Sequence, residues 1–387
     1  MFRPEPFAID VPDDVLVDLR DRIGRTRWPK DLDDGSWHLG ADRTYLERLL
    51  AYWREGFDWR SQERRLNAYP QFLVEIDGWP THFVHLRASP RAGREAAIPI
   101  LLGHGWPNTF ADLLDLADRL ADPWRFGADE AAPAFDVVVP SLPGYIFSTL
   151  PDRRFSWREV PQIWVELMNG LGIEQFVAHG TDIGGHVVRW MAVEHPDRLF
   201  GIHTTSPTVR DPGPRPLSDR ERAKLAEDER WEREDGAYSY MQETRPMTAA
   251  YGLTDSPAGL AAWIVEKLRE WSDLEPNGDF ERVWPLDRVC TLLTLYWVTG
   301  SIGTSFVSYF DPMQDSEPRP WHPTDVPAAF AAFPRNITPS PREWAERGYT
   351  NIVRWTEMPH GGHFPSVEAV DDLAADIRAV NWRGISR

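Results

Sequence analysis

The sequence predicts an α/β fold in which a mostly parallel sheet is covered by helices on both faces. From residue 96 onward, short and continuous apolar runs alternate with amphipathic stretches, a pattern typical of buried parallel strands joined by helices. The chain has 387 residues, of which 42% are hydrophobic, so it can bury a substantial core. We find no internal repeat and no low-complexity segment that would indicate another architecture.

Residues 1–95 are predicted to form a mixed N-terminal region ahead of this alternating pattern. Two stretches have the spacing of amphipathic helices, PDDVLVDLRDRI and DRTYLERLLAYWREGF. The stretch QFLVEIDGWPTHFVHLRA predicts two strands connected by a turn at Asp77 and Gly78. The region shows no group of reactive residues, and residues 89–97 are predicted to be a linker.

The core of the fold is predicted to comprise residues 96–207 and 319–387. Strands and helices alternate through its first part, in the order IPILLGHG, FADLLDLADRL, FDVVVPSLPG, WREVPQIWVELMNGLG, QFVAHGTD, GHVVRWMAVEHP and LFGIHTT. Its second part has the strands VPAAFAAF and NIVRWTEMP and a closing helix, SVEAVDDLAADIRAV. The same sheet is therefore expected to resume after a long interruption.

The interruption, residues 208–318, is predicted to be a helical lid. It is charged, rich in Trp and Tyr, and helical in pattern, as in RERAKLAEDERWERE and AGLAAWIVEKLREWSD. An insertion of this size between two strands of a sheet would lie over the strand ends. We therefore expect it to cover a site at that edge of the sheet.

Charge and composition exclude several classes of partner. The formal net charge is -18 with a pI near 5.1, and no run of Lys or Arg offers a surface for nucleic acid or anionic lipid. A single cysteine, Cys290, excludes internal disulfides and cysteine-based metal clusters. The sequence starts without the apolar core of a secretion signal and has no stretch of 18 apolar residues, which predicts a soluble cytoplasmic protein. The predominance of Arg over Lys favours a bacterial source.

The stretch FVAHGTDIGGH places the carboxylate of Asp182 between glycines, directly after an apolar strand and before a helix. Small residues at Gly180 and Gly184 suit a nucleophile elbow, a tight turn that projects its central side chain above the sheet. The amides at the start of the helix would stabilise a carboxylate there. The alternative is that Asp182 only caps a helix that begins at Gly184.

Two other motifs make the elbow interpretation stronger. The stretch HGWP follows the first core strand, where hydrolases of this architecture place one backbone amide of an oxyanion hole. The residue after the nucleophile supplies the second amide, so Trp106 and Ile183 are the expected donors. His363 lies between the last strand and the final helix, which is the chain order of hydrolase triads, although it and His360 could each be incidental loop residues.

Together these residues resemble the epoxide hydrolases of the α/β-hydrolase superfamily, specifically the microsomal-type group with an N-terminal extension, in a soluble bacterial form. The resemblance spans nearly the whole chain. Its motifs, in order, are HGWP, VVVPSLPGYIFS, GTDIGGH, TRPMTAAYGLTDSPAGLAAWIVEK, LYWVTGSIG and NIVRWTEMPHGGHF.

The resemblance implies a mechanism without a cofactor. In that family the elbow aspartate attacks an epoxide carbon to give an alkyl-enzyme ester, and a histidine activates the water that hydrolyses it. On this basis Asp182 is the nucleophile and His363 the base. The amides of Trp106 and Ile183 would serve the second step, in which water attacks the ester carbonyl.

The family also uses two lid tyrosines to protonate the leaving alkoxide, because a phenol keeps its proton at neutral pH. The family pattern G-Y-x-x-I-Q matches the chain from Ala237, which replaces the glycine, and it assigns Tyr238 with Tyr240 as the backup. Counting from TGSIG assigns Tyr309 as the second donor. Each tyrosine could instead be a buried lid residue bonded to a backbone carbonyl.

The chain departs from the family at the third triad member. The family has an Asp or Glu in a segment like F-P-x-acid, and here that position is Asn336. An asparagine can orient a histidine, but it cannot neutralise an imidazolium. Asn336 could act as an uncharged orienter, or a relocated acid could replace it, with Asp211 the best candidate and Asp325 unsuitable because it precedes its strand. The protein could also be weakly active or inactive.

Competing functions remain open at this point. A haloalkane dehalogenase would share the aspartate nucleophile but commonly has a Trp directly after it, where this chain has Ile183. A serine esterase is disfavoured because no Ser occupies the elbow. A non-catalytic protein that binds epoxides or diols would suit the loss of the acid at Asn336.

The predicted substrate is a bulky or aryl epoxide, which reacts with water. The lid is rich in aromatic residues, which either line the substrate pocket or belong to the core: Trp231, Trp263, Trp271, Trp284, Trp297, Tyr238 and Tyr240. The sequence shows no metal-ligand spacing near the expected site. The sequence does not determine the oligomeric state, and a homodimer is one possibility.

Overall fold

A computed structural model describes residues 2–30, 37–88, 96–153, 155–209, 213–275, 278–313 and 322–385. In these ranges the chain forms a nine-stranded sheet with the order β1-β2-β3-β5-β4-β6-β7-β8-β9. The strands are β1 Glu5–Phe7, β2 Gln71–Ile76, β3 Trp79–Leu86, β4 Ile98–Gly103, β5 Phe135–Pro140, β6 Phe176–Gly180, β7 Leu199–Thr204, β8 Ala328–Ala332 and β9 Ile352–Glu357. The predicted α/β class is confirmed.

The sheet is antiparallel at its N-terminal edge and parallel elsewhere. Strands β1, β2, β3 and β5 pair antiparallel in succession, whereas every pair from β5 through β4 to β9 is parallel. The predicted hairpin is present, and its two turn residues, Asp77 and Gly78, have φ of 50° and 80°. Positive φ at both central residues matches the twist of a two-residue hairpin. The N-terminal strands thus extend the same sheet as the core.

Helices cover the sheet and are buried on one side. Those of the N-terminal region and the core are α1 Asp13–Gly24, α2 Arg43–Glu55, α3 Trp59–Asn67, α4 Leu114–Ala121, α5 Val160–Gly170 and α6 Asp182–Glu194. The core strands between them are almost fully buried, as their continuous apolar runs predict. The shared core includes the fully buried side chains of Trp79, Trp164 and Trp382.

Between β7 and β8 the chain forms a helical segment, here called the inserted helices: α7 Asp219–Glu234, α8 Ala237–Thr244, α9 Pro246–Asp255, α10 Pro257–Glu270, α11 Leu286–Thr299, α12 Ile302–Ser305 and α13 Val307–Met313. Across the described part of the chain, none of the single helices has the length and apolarity needed to cross a membrane. One pair bent by 96°, Leu286–Thr299 with Ile302–Asp311, meets that test by length and composition alone.

The closing helix differs from its prediction because it is divided into α15 Pro365–Glu368 and α16 Val370–Arg378. A short helix, α14 Arg342–Ala345, lies earlier, between β8 and β9. The break is at Ala369, which has φ of -144°. The side chain of Glu368 accepts hydrogen bonds from the backbone amides of Asp273, Gly362 and Phe364. The contact with Asp273 is a tertiary contact and the other two are local, and helical periodicity reveals none of them.

Candidate active site

The turn between β6 and α6 is a tight elbow with Asp182 at its tip. Asp182 has φ of 52°, in the left-handed region that a residue with a side chain rarely adopts. A Cβ added at Gly180 would lie 2.4 Å from the carbonyl oxygen of Gly184, and one added at Gly184 would lie 2.4 Å from that of Gly103. The flanking glycines therefore allow the close backbone packing that holds Asp182 above the sheet.

The carboxylate of Asp182 faces the turn that follows β4. The amide of Trp106 donates to Asp182 Oδ1 over 2.9 Å, and a Cβ at Gly105 would lie only 2.2 Å from the same oxygen. His104 fixes this turn, because Leu142 N donates to its Nε2 over 3.0 Å and its Nδ1 must then donate to Gly105 O, also at 3.0 Å. Burial lowers the pKa of His104 to about 4, so its ring is neutral.

The charge state of Asp182 follows from opposing effects. Burial raises the pKa of its carboxyl group, but the imidazole of His363, when it is protonated, and the backbone amides of Trp106 and Ile183 lower it. The net effect is a lowered pKa, so the carboxylate is ionised at neutral pH. The two amides predicted to form an oxyanion hole both contact this carboxylate.

His363 lies between Asp182 and Asn336. Its Nδ1 is 2.8 Å from Asn336 Oδ1, which also accepts from the amide of Ile337 over 2.8 Å. Because an amide oxygen only accepts hydrogen bonds, Nδ1 of His363 carries a proton. Its Nε2 lies 3.4 Å from Asp182 Oδ2 and has no hydrogen-bond partner among the described residues.

The loop that carries His363 is held by contacts that the sequence analysis missed. Glu368 accepts from the amides on both sides of His363, those of Gly362 at 3.0 Å and Phe364 at 2.8 Å. The amide of His363 itself donates to Trp271 O over 2.8 Å. The sequence signal was the acid five residues after the histidine, but only the structure shows that it turns back towards the loop.

Tyr238 and Tyr309 lie together near Asp182. Their ring centroids are 6.1 Å apart, and their hydroxyl groups share a hydrogen bond. Tyr238 also stacks on Trp106, with centroids 5.3 Å apart and planes 13° from parallel. Burial, reinforced by the charge of Asp182, raises the pKa of both tyrosines well above 10. Both hydroxyls therefore keep their protons.

The remaining candidates are not part of this group. Tyr240, the backup donor, is 58% exposed, because residues two apart on α8 face different directions. His360 is also at the surface, 3.7 Å from Asp372. Asp325 is exposed and lies before β8, which agrees with the prediction that it is unsuitable as a relocated triad acid. Asp211 lies outside the described residues.

A cavity of about 1490 Å³ lies beside the site, between the inserted helices and α2, and its lining does not include Asp182, His363 or Tyr309. Tyr238 and Asn336 line it, together with Trp231, Trp263 and Trp271. Trp284 belongs to the core instead, since it is fully buried and its Nε1 donates to the hydroxyl of Ser272. Trp297 packs against the core below the guanidinium of Arg22, and neither lines the cavity. Within the described ranges, no three His, Cys, Asp or Glu side chains are grouped as metal ligands.

Two family models match the chain. The model described as epoxide hydrolase N terminus matches residues 4–113, and the one described as alpha/beta hydrolase fold matches residues 98–238. Epoxide hydrolase 1 of Sus scrofa is 33% identical to this chain over 399 residues, an alignment that covers 96% of this chain and 87% of the relative.

Solved structures of epoxide hydrolases share the fold over nearly its full length. The Aspergillus niger epoxide hydrolase is 31% identical with a TM-score of 0.82, covering 97% of this chain and 95% of that one. The juvenile hormone epoxide hydrolase from the silkworm Bombyx mori is 28% identical with a TM-score of 0.90, covering 99% and 95%. The sequence, the fold and these relatives agree, and the chain belongs to the epoxide hydrolase family.

Proposed function

We propose that this protein hydrolyses an epoxide to a vicinal diol through a covalent ester on Asp182. The observation that carries the proposal is the arrangement around one carboxylate. An ionised Asp182 lies close to a pair of protonated tyrosines and to the imidazole of His363, whose Nε2 faces it at 3.4 Å. A nucleophile, two acids and a base are the groups that opening and hydrolysis of an epoxide require.

In the first step, a carboxylate oxygen of Asp182 attacks an epoxide carbon while the C–O bond on that carbon breaks. The oxygen that leaves takes a proton from Tyr238, which shares a hydrogen bond with Tyr309. The products of this step are an ester at Asp182 and a tyrosine phenolate. Because the tyrosines keep their protons until this moment, they are suited to act as general acids.

In the second step, His363 Nε2 takes a proton from water, and the resulting hydroxide attacks the ester carbonyl. The amides of Trp106 and Ile183 stabilise the negative oxygen that develops there. The intermediate collapses, His363 returns its proton to the departing diol, and the carboxylic acid of Asp182 returns a proton to the phenolate. Every group is then restored, and the net reaction adds one water to the epoxide.

Asn336 would make the second step slower than the first. It orients the imidazole through Nδ1 but brings no negative charge to stabilise the imidazolium that forms when water is activated. Formation of the ester does not pass through an imidazolium. We therefore infer that the ester accumulates during turnover.

The size and lining of the cavity support a bulky or aryl epoxide as the substrate, with the inserted helices acting as its lid. Its volume is about 1490 Å³, and three tryptophans on or beside these helices line it, Trp231, Trp263 and Trp271. Aromatic side chains bind large flat groups with good contact area. The paired tyrosines suit protonation of an alkoxide, which a halide leaving group does not need, so this arrangement favours an epoxide over a haloalkane.

The test is intact-protein mass spectrometry after mixing with excess styrene oxide, with diol measured in parallel. The wild-type protein should gain one substrate mass at Asp182, and this adduct should decay into diol. Asp182→Asn should gain no mass and make no diol. Styrene oxide that binds to both proteins without an adduct or diol would contradict the proposal and favour a binding protein.

A further inference from the structure

Lys267 is buried in the inserted helices, although lysine is a costly residue to bury. It is 6% exposed and one of only three lysines in the chain. Its ammonium group forms an ion pair with Asp235 and lies 3.0 Å from Glu266 Oε2. The charge is therefore compensated, but two carboxylates do not explain why a cation is placed here.

The position of the ammonium group is specific with respect to the site. Lys267 Nζ lies over the ring of Tyr238, 5.1 Å from its centroid, and 5.8 Å from that of Trp271. Asp235 links Lys267 to Trp271, because its second carboxylate oxygen accepts a hydrogen bond from Trp271 Nε1 over 2.7 Å. Trp271 in turn holds the backbone of His363 and packs against its ring at 5.3 Å.

A purely structural explanation would be that Lys267 fastens α10 to the start of α8. Buried ion pairs contribute little net stability compared with apolar side chains of the same volume, so this explanation leaves the choice of residue unaccounted for. A cation over the face of an aromatic ring is attracted to it, and the attraction grows when the ring carries negative charge.

We propose that Lys267 is a positioning residue that holds the ring of Tyr238 and stabilises the phenolate formed when Tyr238 protonates the leaving alkoxide. This inference rests on the proposed function. In that step the O–H bond of Tyr238 breaks, its proton passes to the epoxide oxygen, and the negative charge remains on the phenolate beneath the ammonium group. Lys267 keeps its own protons throughout.

The other charges near Tyr238 act against this phenolate. Asp235 and Glu243 each favour the neutral phenol, as does Asp182 until its charge is lost in the ester, and Tyr309 supplies a hydrogen bond to Tyr238. Glu266 pairs with the ammonium group and offsets part of its charge. Loss of Lys267 should therefore destabilise the phenolate of Tyr238, whereas loss of Glu266 should stabilise it.

The chain contains a matched control. Lys224 is 10% exposed by side chain, forms an ion pair with Asp228 at 2.5 Å, and lies 5.3 Å from the ring centroid of Trp344. It repeats the same chemistry on residues that do not contact Tyr238. Lys224→Gln thus removes a comparable ion pair and ring contact without touching the site.

The experiment measures ester formation and ester hydrolysis separately by rapid mixing with styrene oxide, across a range of pH. Lys267→Gln should slow ester formation by about 10- to 100-fold, part of what a general acid contributes, while hydrolysis of the preformed ester stays within about twofold. Lys267→Arg should retain most of the rate, and Lys224→Gln should match the wild type. The fall in ester formation at alkaline pH should shift upward in Lys267→Gln and downward in Glu266→Gln.

Unchanged ester formation and pH dependence in both Lys267→Gln and Glu266→Gln would overturn the inference. Equal damage in Lys267→Arg and Lys267→Gln would also overturn it, because geometry rather than charge would then matter. If Lys267→Gln does not fold, Lys267→Arg and Glu266→Gln decide the question alone. The wild-type protein in the same experiment tests the proposed function separately, because a wild type that forms no ester would overturn that function rather than the role of Lys267.

Discussion

His363 donates its Nδ1 proton to Asn336 Oδ1 over 2.8 Å and faces Asp182 with its other nitrogen. In the proposed mechanism the amide group of Asn336 takes the place of a triad carboxylate and makes its hydrogen bond, but without its charge. The oxygen is fixed as the acceptor because the amide of Ile337 also donates to it. The imidazole is therefore well oriented but poorly stabilised when it becomes protonated.

Asn336→Asp should accelerate hydrolysis of the ester by roughly 10- to 100-fold, because a carboxylate stabilises the imidazolium formed on activation of water. Ester formation should change little. Single-turnover kinetics with a preformed ester measure this directly, with Asn336→Ala expected to slow hydrolysis. A variant Asn336→Asp that hydrolyses the ester no faster would contradict our account of this position.

Tyr238→Phe and Tyr309→Phe should each slow ester formation by about 100-fold, because each removes a hydroxyl from the pair that protonates the alkoxide. The double variant should form almost no ester. Tyr240→Phe is the control, since that side chain is 58% exposed and should leave the rate unchanged. Rates of adduct formation by quenched-flow mass spectrometry distinguish these cases. Normal rates in both single variants would remove the tyrosines from the mechanism.

Gly105→Ala should abolish ester formation, with a loss of at least about 100-fold, while the protein stays folded. The added Cβ would lie 2.2 Å from Asp182 Oδ1, so the carboxylate must leave its hydrogen bond with Trp106. Gly252→Ala is the control, because that helical position has open space and alanine should stabilise it by about 0.5–1 kcal/mol. Thermal unfolding and the rate of adduct formation are the readouts. An active Gly105→Ala protein would show that the carboxylate does not need this position.

The free energy of unfolding should decrease as the pH is lowered from about 6.5 to about 4.5, in part because of buried histidines. Burial lowers the pKa of His82 to about 3 and that of His104 to about 4. In this window the unfolded chain takes up protons that the folded protein does not, which lowers the free energy of unfolding by up to about 1.4 kcal/mol per pH unit for each histidine.

The measurement is urea unfolding of the wild type and His82→Gln at several pH values in that window. Burial raises the pKa of the carboxyl groups of Asp112 and Glu368, an effect of opposite sign, so the comparison between the two proteins is what matters. The stability of His82→Gln should depend less steeply on pH. Equal slopes for the two proteins would contradict a neutral, buried His82.

The fold could be predicted from local patterns because each strand and helix carries its own periodicity. The hairpin at Asp77 and Gly78 and the parallel core followed from this signal. Two features could not be predicted in this way. The break at Ala369 lies beside Glu368, whose side chain caps amides of the preceding loop and of Asp273, and the pairing of β3 with β5 joins distant segments.

The candidate site likewise contains some residues that local sequence motifs predict and others that depend on packing between distant segments. Asp182, Trp106 and Asn336 follow from motifs that are contiguous in sequence, and the structure brings them together with His363. Lys267, Asp235 and Glu368 have no such motif, because their positions depend on how α8, α10 and the loop before α15 pack together. The family pattern assigned Tyr238 and kept Tyr240 as the backup. The helix geometry distinguishes the two, because Tyr238 is buried and Tyr240 is exposed.

The central claim is the covalent ester at Asp182, and a single turnover in water enriched in oxygen-18, with enzyme in excess over styrene oxide, tests it most directly. If water attacks the ester carbonyl, the diol from the first turnover contains no label, and one labelled oxygen remains in the carboxylate of Asp182 after proteolysis. If the label appears in the diol from that first turnover and Asp182 stays unlabelled, water attacks the epoxide itself, and the account of Asp182 as a nucleophile is contradicted.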